Sequence, residues 1–492
     1  MTSIRKSLFW QSYNVAGLAI IQLVYYGVLA RILEPADFGL VAIANSFVNF
    51  ATMISQIGMG PALVQHRKPE AIHISTSFFS NLAIGIVLYV VVIFSTESIS
   101  SFFNSEDLIG ILPVLCFAFV FSSVANSSVS LIQRDMNFKY LFIAENVSHL
   151  IGMAVGVVLA VLDFGVWSLV YGTLVYQFLQ MVLVLFKTRI QLSPGWSKSI
   201  FMELFHFGAG LTLIRVNNYF TNSGVNLLLG KLLPMNVLGI FERSYRTMMI
   251  PGKMLGDVLD KVMFPAMSRE QDNNDSLTAM YQRNLSFSLI LTLPLGIWLS
   301  INSEAIVLLL LGDNWLEAVP VLQVLFMAVP FRVTMRLTDS VIRAKGLVYL
   351  SAWRKFLYTI FLFVALYFGS KFGLYGLSWT ILIASALQYL NMSSLAVSKM
   401  KMPWSTQWKP FMEAVPMSLL FTLSAFAFNV LTPGDALYLR LIFASMGLVS
   451  GLFLVLLFYR FWPRVLGESA QALLLPVHKM VKKRTGIKLK GR

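Results

Sequence analysis

Residues 204–226 read LFHFGAGLTLIRVNNYFTNSGVN, and residues 237–265 read VLGIFERSYRTMMIPGKMLGDVLDKVMFP. Each run is long and apolar enough to cross a bilayer as a helix, since about 20 residues match the hydrocarbon thickness. Yet the first run carries Arg215 beside Asn217, Asn218, Asn222 and Asn226. The second carries Glu242, Arg243, Arg246, Lys253, Asp257, Asp260 and Lys261. Ionisable groups are costly in hydrocarbon, so they face a bundle interior or a water-filled cavity. Charge at membrane depth therefore makes this stretch the candidate centre of function.

The whole chain has the composition such a reading needs. It is 57% hydrophobic and only 12% charged, with a mean hydropathy of +0.72. A soluble domain carries about 25% charged residues. The expected fold class is an all-α polytopic membrane protein of about fourteen transmembrane helices. The spans fall near 10–30, 39–64, 78–95, 109–131, 141–162, 165–186, 205–230, 237–265, 283–301, 317–343, 353–369, 374–397, 411–431 and 437–459. Only Asp163 separates the fifth from the sixth, and Pro113, Pro320 and Pro330 should bend the fourth and tenth. Arg5 and Lys6 precede a full-length span rather than the shorter apolar run of a cleavable signal. Cys116 is the single cysteine and lies in an apolar run, which excludes an intramolecular disulfide.

The connections set the orientation. With the N-terminus inside, the inner connections and both tails hold most of the 38 lysines and arginines. These include Arg67, Lys68, Arg134, Lys139, Lys187, Arg189, Lys399, Lys401 and a run of basic residues after Trp462. The outer connections carry acids instead, at Glu97, Glu106, Asp107, Glu304, Asp313, Glu317 and Asp435. Positive residues stay on the cytoplasmic side, so both termini are expected to be cytoplasmic. The net charge of +15 then reflects topology and attraction to anionic membrane lipids, not nucleic-acid binding.

The chain repeats itself at an offset of about 200 residues. Arg31-Ile-Leu-Glu-Pro-Ala-Asp-Phe-Gly39 lies over Lys231-Leu-Leu-Pro-Met-Asn-Val-Leu-Gly239. Pro61-Ala62 lies over Pro265-Ala266, Leu112-Pro113 over Val319-Pro320, and Phe164-Gly165 over Phe372-Gly373. The ordered set divides the chain into an N-terminal lobe (1–200, six helices), a related C-terminal lobe (201–400, six helices), two further helices (401–462) and a basic cytoplasmic tail (463–492). Parallel repeats of this kind place a substrate site between lobes, near the midplane.

Six plus six plus two spans, with these motifs in this order, resemble the polysaccharide transporters of the multidrug/oligosaccharidyl-lipid/polysaccharide exporter superfamily. The carrying stretches are Leu29–Leu40, Ile57–Gln65, Gly239–Arg246 followed by Pro251, Val262–Arg269, and Leu311–Trp315 before Pro320. The resemblance is to bacterial flippases for lipid-linked oligosaccharides, of the colanic-acid and O-antigen kind. It implies a V-shaped central cavity with inward- and outward-facing states, in the bacterial inner membrane. It implies an undecaprenyl-pyrophosphate-linked repeat unit as cargo, bound for exopolysaccharide, capsule or lipopolysaccharide. Polysaccharide polymerase and export machinery are the candidate partners.

That cargo suits the charged spans. At 100° per residue, Arg215, Asn218, Asn222 and Asn226 fall within about 80° of arc. Arg246 and its charged neighbours share one side of the eighth span. Arg332, Arg336, Asp339 and Arg343 make one stripe on the tenth. Asn45 and Asn49 lie on a neutral polar face of the second. Arginine grips phosphate oxygens with a fork of donors and is always charged, while amides suit sugar hydroxyls. The candidate substrate-binding residues are Arg215, Asn218, Asn222, Asn226, Arg246, Arg332, Arg336, Asn45 and Asn49. Asp257 and Asp339, carboxylates among cations, are the candidates for coupling to a proton or sodium ion; Glu145 and His149 form a second pair.

Competing readings stay open at this point. Glu242 and Arg243 suit the outer interface, and Asp260 and Lys261 the inner one, where long side chains reach water. Lys253, Asp257 and Lys261 are spaced to neutralise one another. A drug or cation antiporter of the same superfamily would need carboxylates in the first lobe, and spans one to four and six have none. A membrane polysaccharide polymerase would need a large outer loop with catalytic residues; the outer connections are short and lack histidine. No nucleotide or metal motif is present, so neither a cofactor nor a metal is expected and the chain is not read as an enzyme.

Overall fold

The computed structural model describes residues 17, 21–56, 58–66, 69–189, 195–433 and 436–461. Arg5, Lys6, Arg67, Lys68, Asp435 and the basic tail beyond Phe461 lie outside them. Every described element is helical. In order they are α1 (Ile21–Ala30), α2 (Pro35–Gln56), α3 (Met59–Gln65), α4 (Ala71–Phe103), α5 (Asp107–Leu115), α6 (Phe117–Arg134), α7 (Phe138–Val161), α8 (Trp167–Thr188) and α9 (Lys198–Tyr219). A π-helical turn over Phe220–Gly224 joins α9 to α10 (Val225–Leu232). There follow α11 (Met235–Arg269), α12 (Asn274–Ile301), α13 (Ser303–Leu310), α14 (Ala318–Phe326), α15 (Val329–Ala344), α16 (Val348–Ser370), α17 (Gly373–Met400), α18 (Ser405–Val430) and α19 (Leu437–Phe461).

Local chemistry sets these ends. Asn137 caps α7 by accepting from the Tyr140 amide at 3.2 Å, and Asn273 caps α12 by accepting from Ser276 at 3.0 Å; each satisfies an orphan N–H. Asp163 turns left-handed at φ 60° and splits α7 from α8, at the residue that alone separates the fifth and sixth predicted spans. Cys116 joins α5 to α6 just after Pro113. The tenth predicted span is α14 plus α15, bent by 40°.

Among the described residues, ten helices are long and apolar enough to cross a membrane, or eleven with α14–α15 taken as one bent span. Three predicted spans fall outside that count for separate reasons. The first is described as a helix only from Ile21. The seventh is α9, the π turn and α10, so it is interrupted. The eighth is α11, a continuous helix of 35 residues whose eight charged residues lower its hydropathy.

The chain forms two compact units. The first comprises residues 1–243, 310–314 and 359–370; the second comprises 244–309, 315–358 and 371–492. In the first unit α7 packs on α8, α6 on α4 and α8, and α3 on α6 and α9. Glycines let the α7–α8 backbones approach: a Cβ on Gly152 would sit 2.6 Å from the Gly172 carbonyl oxygen, as small residues permit between membrane helices. In the second unit α12 packs on α15 and α18, α15 on α17, and α18 on α19. Its core holds Tyr281, Leu285, Leu337, Val341, Tyr389 and Met392. The Tyr281 hydroxyl pairs with Thr338 at 2.9 Å and donates to Gln407 at 3.0 Å. Phe94, Phe186, Leu423 and Phe426 are exposed, as lipid-facing side chains should be.

The repeated positions share local geometry. Helix α2 begins at Pro35 and α11 at Met235. Gly165 and Gly373 are both left-handed, at φ 51° and 67°. Gly39 and Gly239, matched in sequence, meet within the first unit. A Cβ on Gly39 would lie 2.1 Å from the Met235 carbonyl oxygen, and one on Gly239 would lie 1.8 Å from that of Pro35.

Candidate functional site

The sequence-predicted residues fall into two groups, one in each unit. In the first unit, α2 lies against α9, the π turn and α10. Ser46 donates its hydroxyl to the Ser223 carbonyl at 3.1 Å, and the Tyr219 hydroxyl returns a bond to the Ser46 carbonyl at 3.1 Å. Asn49 donates to the Ser223 hydroxyl at 3.4 Å. The amide face of α2 and the polar run around Asn222 are thus neighbours on one wall. Asn49, Asn218 and Asn222 are exposed; Asn45, Arg215 and Asn226 are half-buried. Asn222 spends its amide on the Asn218 carbonyl at 2.7 Å. Arg215 makes no side-chain hydrogen bond or ion pair among the described residues.

The π turn changes the phase of this stripe. A π turn holds more residues than an α turn, so positions after Gly224 are rotated relative to those before Phe220. Asn226 therefore departs from the line calculated at 100° per residue. The same turn aims Ser223 at α2 and lets Thr221 pair with Thr359 of α16 at 2.9 Å. Thr359 also donates to Asn217 at 3.1 Å. Single π turns concentrate at functional sites, and no sequence pattern announces one.

The second unit gathers cations. Helices α11 and α15 touch: a Cβ on Gly256 would meet the Arg336 Cδ at 2.5 Å. Lys253 feels both Arg246 and Arg336 electrostatically. Arg332 donates to the Tyr245 hydroxyl at 2.9 Å, and its guanidinium stands 5.2 Å from that ring. Tyr358 also lies within electrostatic reach of Arg332. Arg246 and Lys253 are exposed, while Arg332 and Arg336 are half-buried. Three predicted cations, with Lys253, thus line adjacent faces of two helices. Sequence reasoning missed Tyr245 and Tyr358, because a tyrosine in an apolar helix reads first as packing.

Toward the C-terminal end of α15 the charges are paired. Arg343 bridges Asp260, which also accepts from Ser340. Asp339 accepts from Lys355 at 2.7 Å and from Ser351 at 3.1 Å, with the Arg343 Nε at 3.6 Å. The side chains of Asp257 and Lys261 lie outside the described ones, so their spacing with Lys253 is not a described contact. Glu242 and Arg243, expected at an interface, are instead buried in the first unit at 2% and 7% exposure. They pair at 2.6 Å, and the guanidinium stands 4.3 Å from the Tyr26 ring and 5.0 Å from that of Phe38. A bidentate-capable cation between aromatic faces tolerates this burial where a lysine would not. His149 stacks on Tyr176 with ring centres 3.7 Å apart. Among the described residues no group of three or more His, Cys, Asp or Glu is placed to hold a metal ion.

Known proteins share both the sequence and the fold. Residues 28–320 match the family described as "Polysaccharide biosynthesis protein". The chain is 27% identical over 313 residues to the lipopolysaccharide biosynthesis protein WzxC of Escherichia coli (strain K12), covering 63% of each. It is 24% identical over 434 residues to the teichuronic acid biosynthesis protein TuaB of Bacillus subtilis (strain 168), covering 85% of this chain and 89% of that one. Its fold superposes on the lipid II flippase MurJ in an inward closed conformation, with a TM-score of 0.70, 14% identity, and 92% and 99% of the two chains covered. The matched family covers more than half of the chain, including α2, the π turn and α11, and the multi-pass helical fold agrees with it. The chain belongs to the polysaccharide biosynthesis protein family, as a Wzx-type membrane transport protein of the multidrug/oligosaccharidyl-lipid/polysaccharide exporter superfamily.

Proposed function

We propose that this protein flips undecaprenyl-pyrophosphate-linked oligosaccharide units across the bacterial inner membrane by alternating access, for surface polysaccharide assembly. The observation that carries the reading is the set Arg246, Lys253, Arg332 and Arg336 on the touching helices α11 and α15. A pyrophosphate needs several charged donors to leave water. The tyrosine at Arg332 holds one guanidinium in place, so less rotamer freedom is lost when the anion arrives. The amides at Asn45, Asn49, Asn218, Asn222 and Asn226, with Arg215, take the sugar hydroxyls. The polyprenyl chain stays in lipid throughout.

The reading includes fourteen spans arranged as six plus six plus two, with both termini cytoplasmic. The matched helix starts at Pro35 and Met235 and the matched left-handed glycines support the repeat. Coupling is assigned to Asp257 and Asp339. Asp339 pairs with Lys355 and Arg343, and exchange of these partners is the step assigned to coupling.

Reconstituted vesicles test this. The purified full chain should translocate a labelled lipid-pyrophosphate oligosaccharide, faster under a proton gradient. Asp339→Asn should flip at one rate with or without the gradient. Efflux of an organic cation in place of lipid translocation would transfer the protein to the antiporter class.

A further inference from the structure

The first unit contains a polar seam that the cargo reading does not use. Helix α4 contributes Ser75, Thr76, Ser77, Ser80 and Asn81, all buried. Helix α6 contributes Ser122, Ser123, Asn126, Ser127, Ser128 and Ser130. Most of these groups answer one another. Ser77 pairs with Ser127 at 3.2 Å, Ser123 donates to Ser55 of α2 at 2.8 Å, and Ser128 pairs with Thr188 at 3.0 Å. Gln56 donates to Ser122 at 3.3 Å, and the Trp196 indole donates to Ser80 at 2.9 Å.

Two amides break the pattern. Asn81 is 0% exposed, and neither its Nδ2 nor its Oδ1 has a hydrogen-bond partner among the described residues. The Nδ2 of Asn126 is likewise buried and unanswered. Their directions follow from their neighbours. Ser77, Asn81 and Gly85 are successive turns on one face of α4. Ser77 touches Ser127, and a Cβ on Gly85 would lie 3.0 Å from the Ser123 hydroxyl. Asn81 therefore points at α6 between Ser123 and Ser127. Asn126 borders α3, since a Cβ on Gly60 would stand 3.1 Å from its Oδ1 and 2.7 Å from the Ser130 hydroxyl.

The unanswered atoms are two donors and one acceptor. A cation satisfies only the Asn81 Oδ1, and an anion only the amide N–H groups. Every seam group named here is neutral, so either ion would be buried without a counter-charge. Water both donates and accepts, and buried water typically bonds such groups. We infer that a small cluster of ordered water is bound where α3, α4 and α6 meet, on Asn81 and Asn126. The placement matters for α3. Gly58, at φ 65°, breaks it from α2, and a Cβ there would strike the Gly208 backbone at 2.4 Å. Helix α3 is thus a separate segment that packs on α6 beside Asn126. Bound water supplies the partner that the Asn126 amide lacks at this contact.

The test is a high-resolution density map of the full chain, together with thermal unfolding of Asn81→Leu. Peaks about 2.7–3.2 Å from the Asn81 Nδ2 and Oδ1 are expected. The unfolding temperature should be the same in sodium chloride and choline chloride, and Asn81→Leu should not raise it. A dry seam overturns the inference: either no peak, or a leucine variant several degrees more stable because an orphan has been removed. Sodium-dependent stability lost in Asn81→Leu overturns it in favour of a cation. None of these outcomes bears on which lipid is flipped.

Discussion

Arg332→Ala is expected to abolish polysaccharide export while the protein remains inserted and abundant. Arg332 is half-buried on α15, fixed by the Tyr245 hydroxyl at 2.9 Å and within reach of Tyr358. A hydrogen bond to a charged group contributes about 1.5–3 kcal/mol, and losing it weakens binding about 10- to 100-fold. Arg332→Lys should recover only part of the activity, because a lysine keeps the charge and loses the fork. Tyr245→Phe should weaken binding less than Arg332→Ala, since it frees the guanidinium without removing it. The check is surface polysaccharide in a strain lacking the native transporter, with membrane levels of each variant measured alongside. Normal export by Arg332→Ala at normal abundance would remove the cationic group from the account.

Gly239→Ala is the second large expected effect. The new Cβ would lie 1.8 Å from the Pro35 carbonyl oxygen, and its partner substitution Gly39→Ala would lie 2.1 Å from that of Met235. Backbone cannot swing away as a flexible side chain does, so the two helix starts must part. Overpacking of this kind costs about 1–3 kcal/mol. Thermal unfolding should fall by several degrees for either alanine, and export should fall with it. Neighbouring sites couple, so the double variant should lose less than the sum of the two. A fully stable Gly239→Ala would mean the crossing is looser than the geometry says.

This crossing also measures how far the sequence reached. The internal repeat aligns Gly39 with Gly239, and the two are each other's neighbours in the fold. The apolar spans were legible for a simple reason. Hydrocarbon imposes one length and one composition, and α4, α7, α8, α12 and α16 to α19 obey both. The ends were less legible: α4 runs from Ala71 to Phe103, beyond the predicted 78–95, because its buried Ser75, Thr76 and Ser77 read as polar boundary.

The candidate site was legible in kind but not in pairing. Spacing placed Arg332, Arg336, Asp339 and Arg343 on one stripe of α15, but the partners lie far away in the chain. Asp339 finds Lys355, and Asp260 finds Arg343; neither pair follows from an i,i+4 rule. Arg243 looked interfacial because charge near a helix start usually is, whereas Tyr26 and Phe38 from other helices enclose it. The π turn is invisible to a constant 100° helical phase, which breaks down across Phe220–Gly224. The seam around Asn81 and Asn126 carries no signal of its own in the sequence, since serines and amides also serve ordinary helix–helix contact.

The second unit's cations are assigned to the pyrophosphate, and one binding measurement tests that assignment. Native mass spectrometry of the purified full chain with polyprenyl pyrophosphate and polyprenyl monophosphate compares the two head groups on one scaffold. The wild type should bind the pyrophosphate more tightly, and the Arg332→Ala/Arg336→Ala variant should lose that preference while keeping its residual affinity for the lipid chain. Equal binding of both lipids by the wild type, or an unchanged preference in the double variant, would contradict the account.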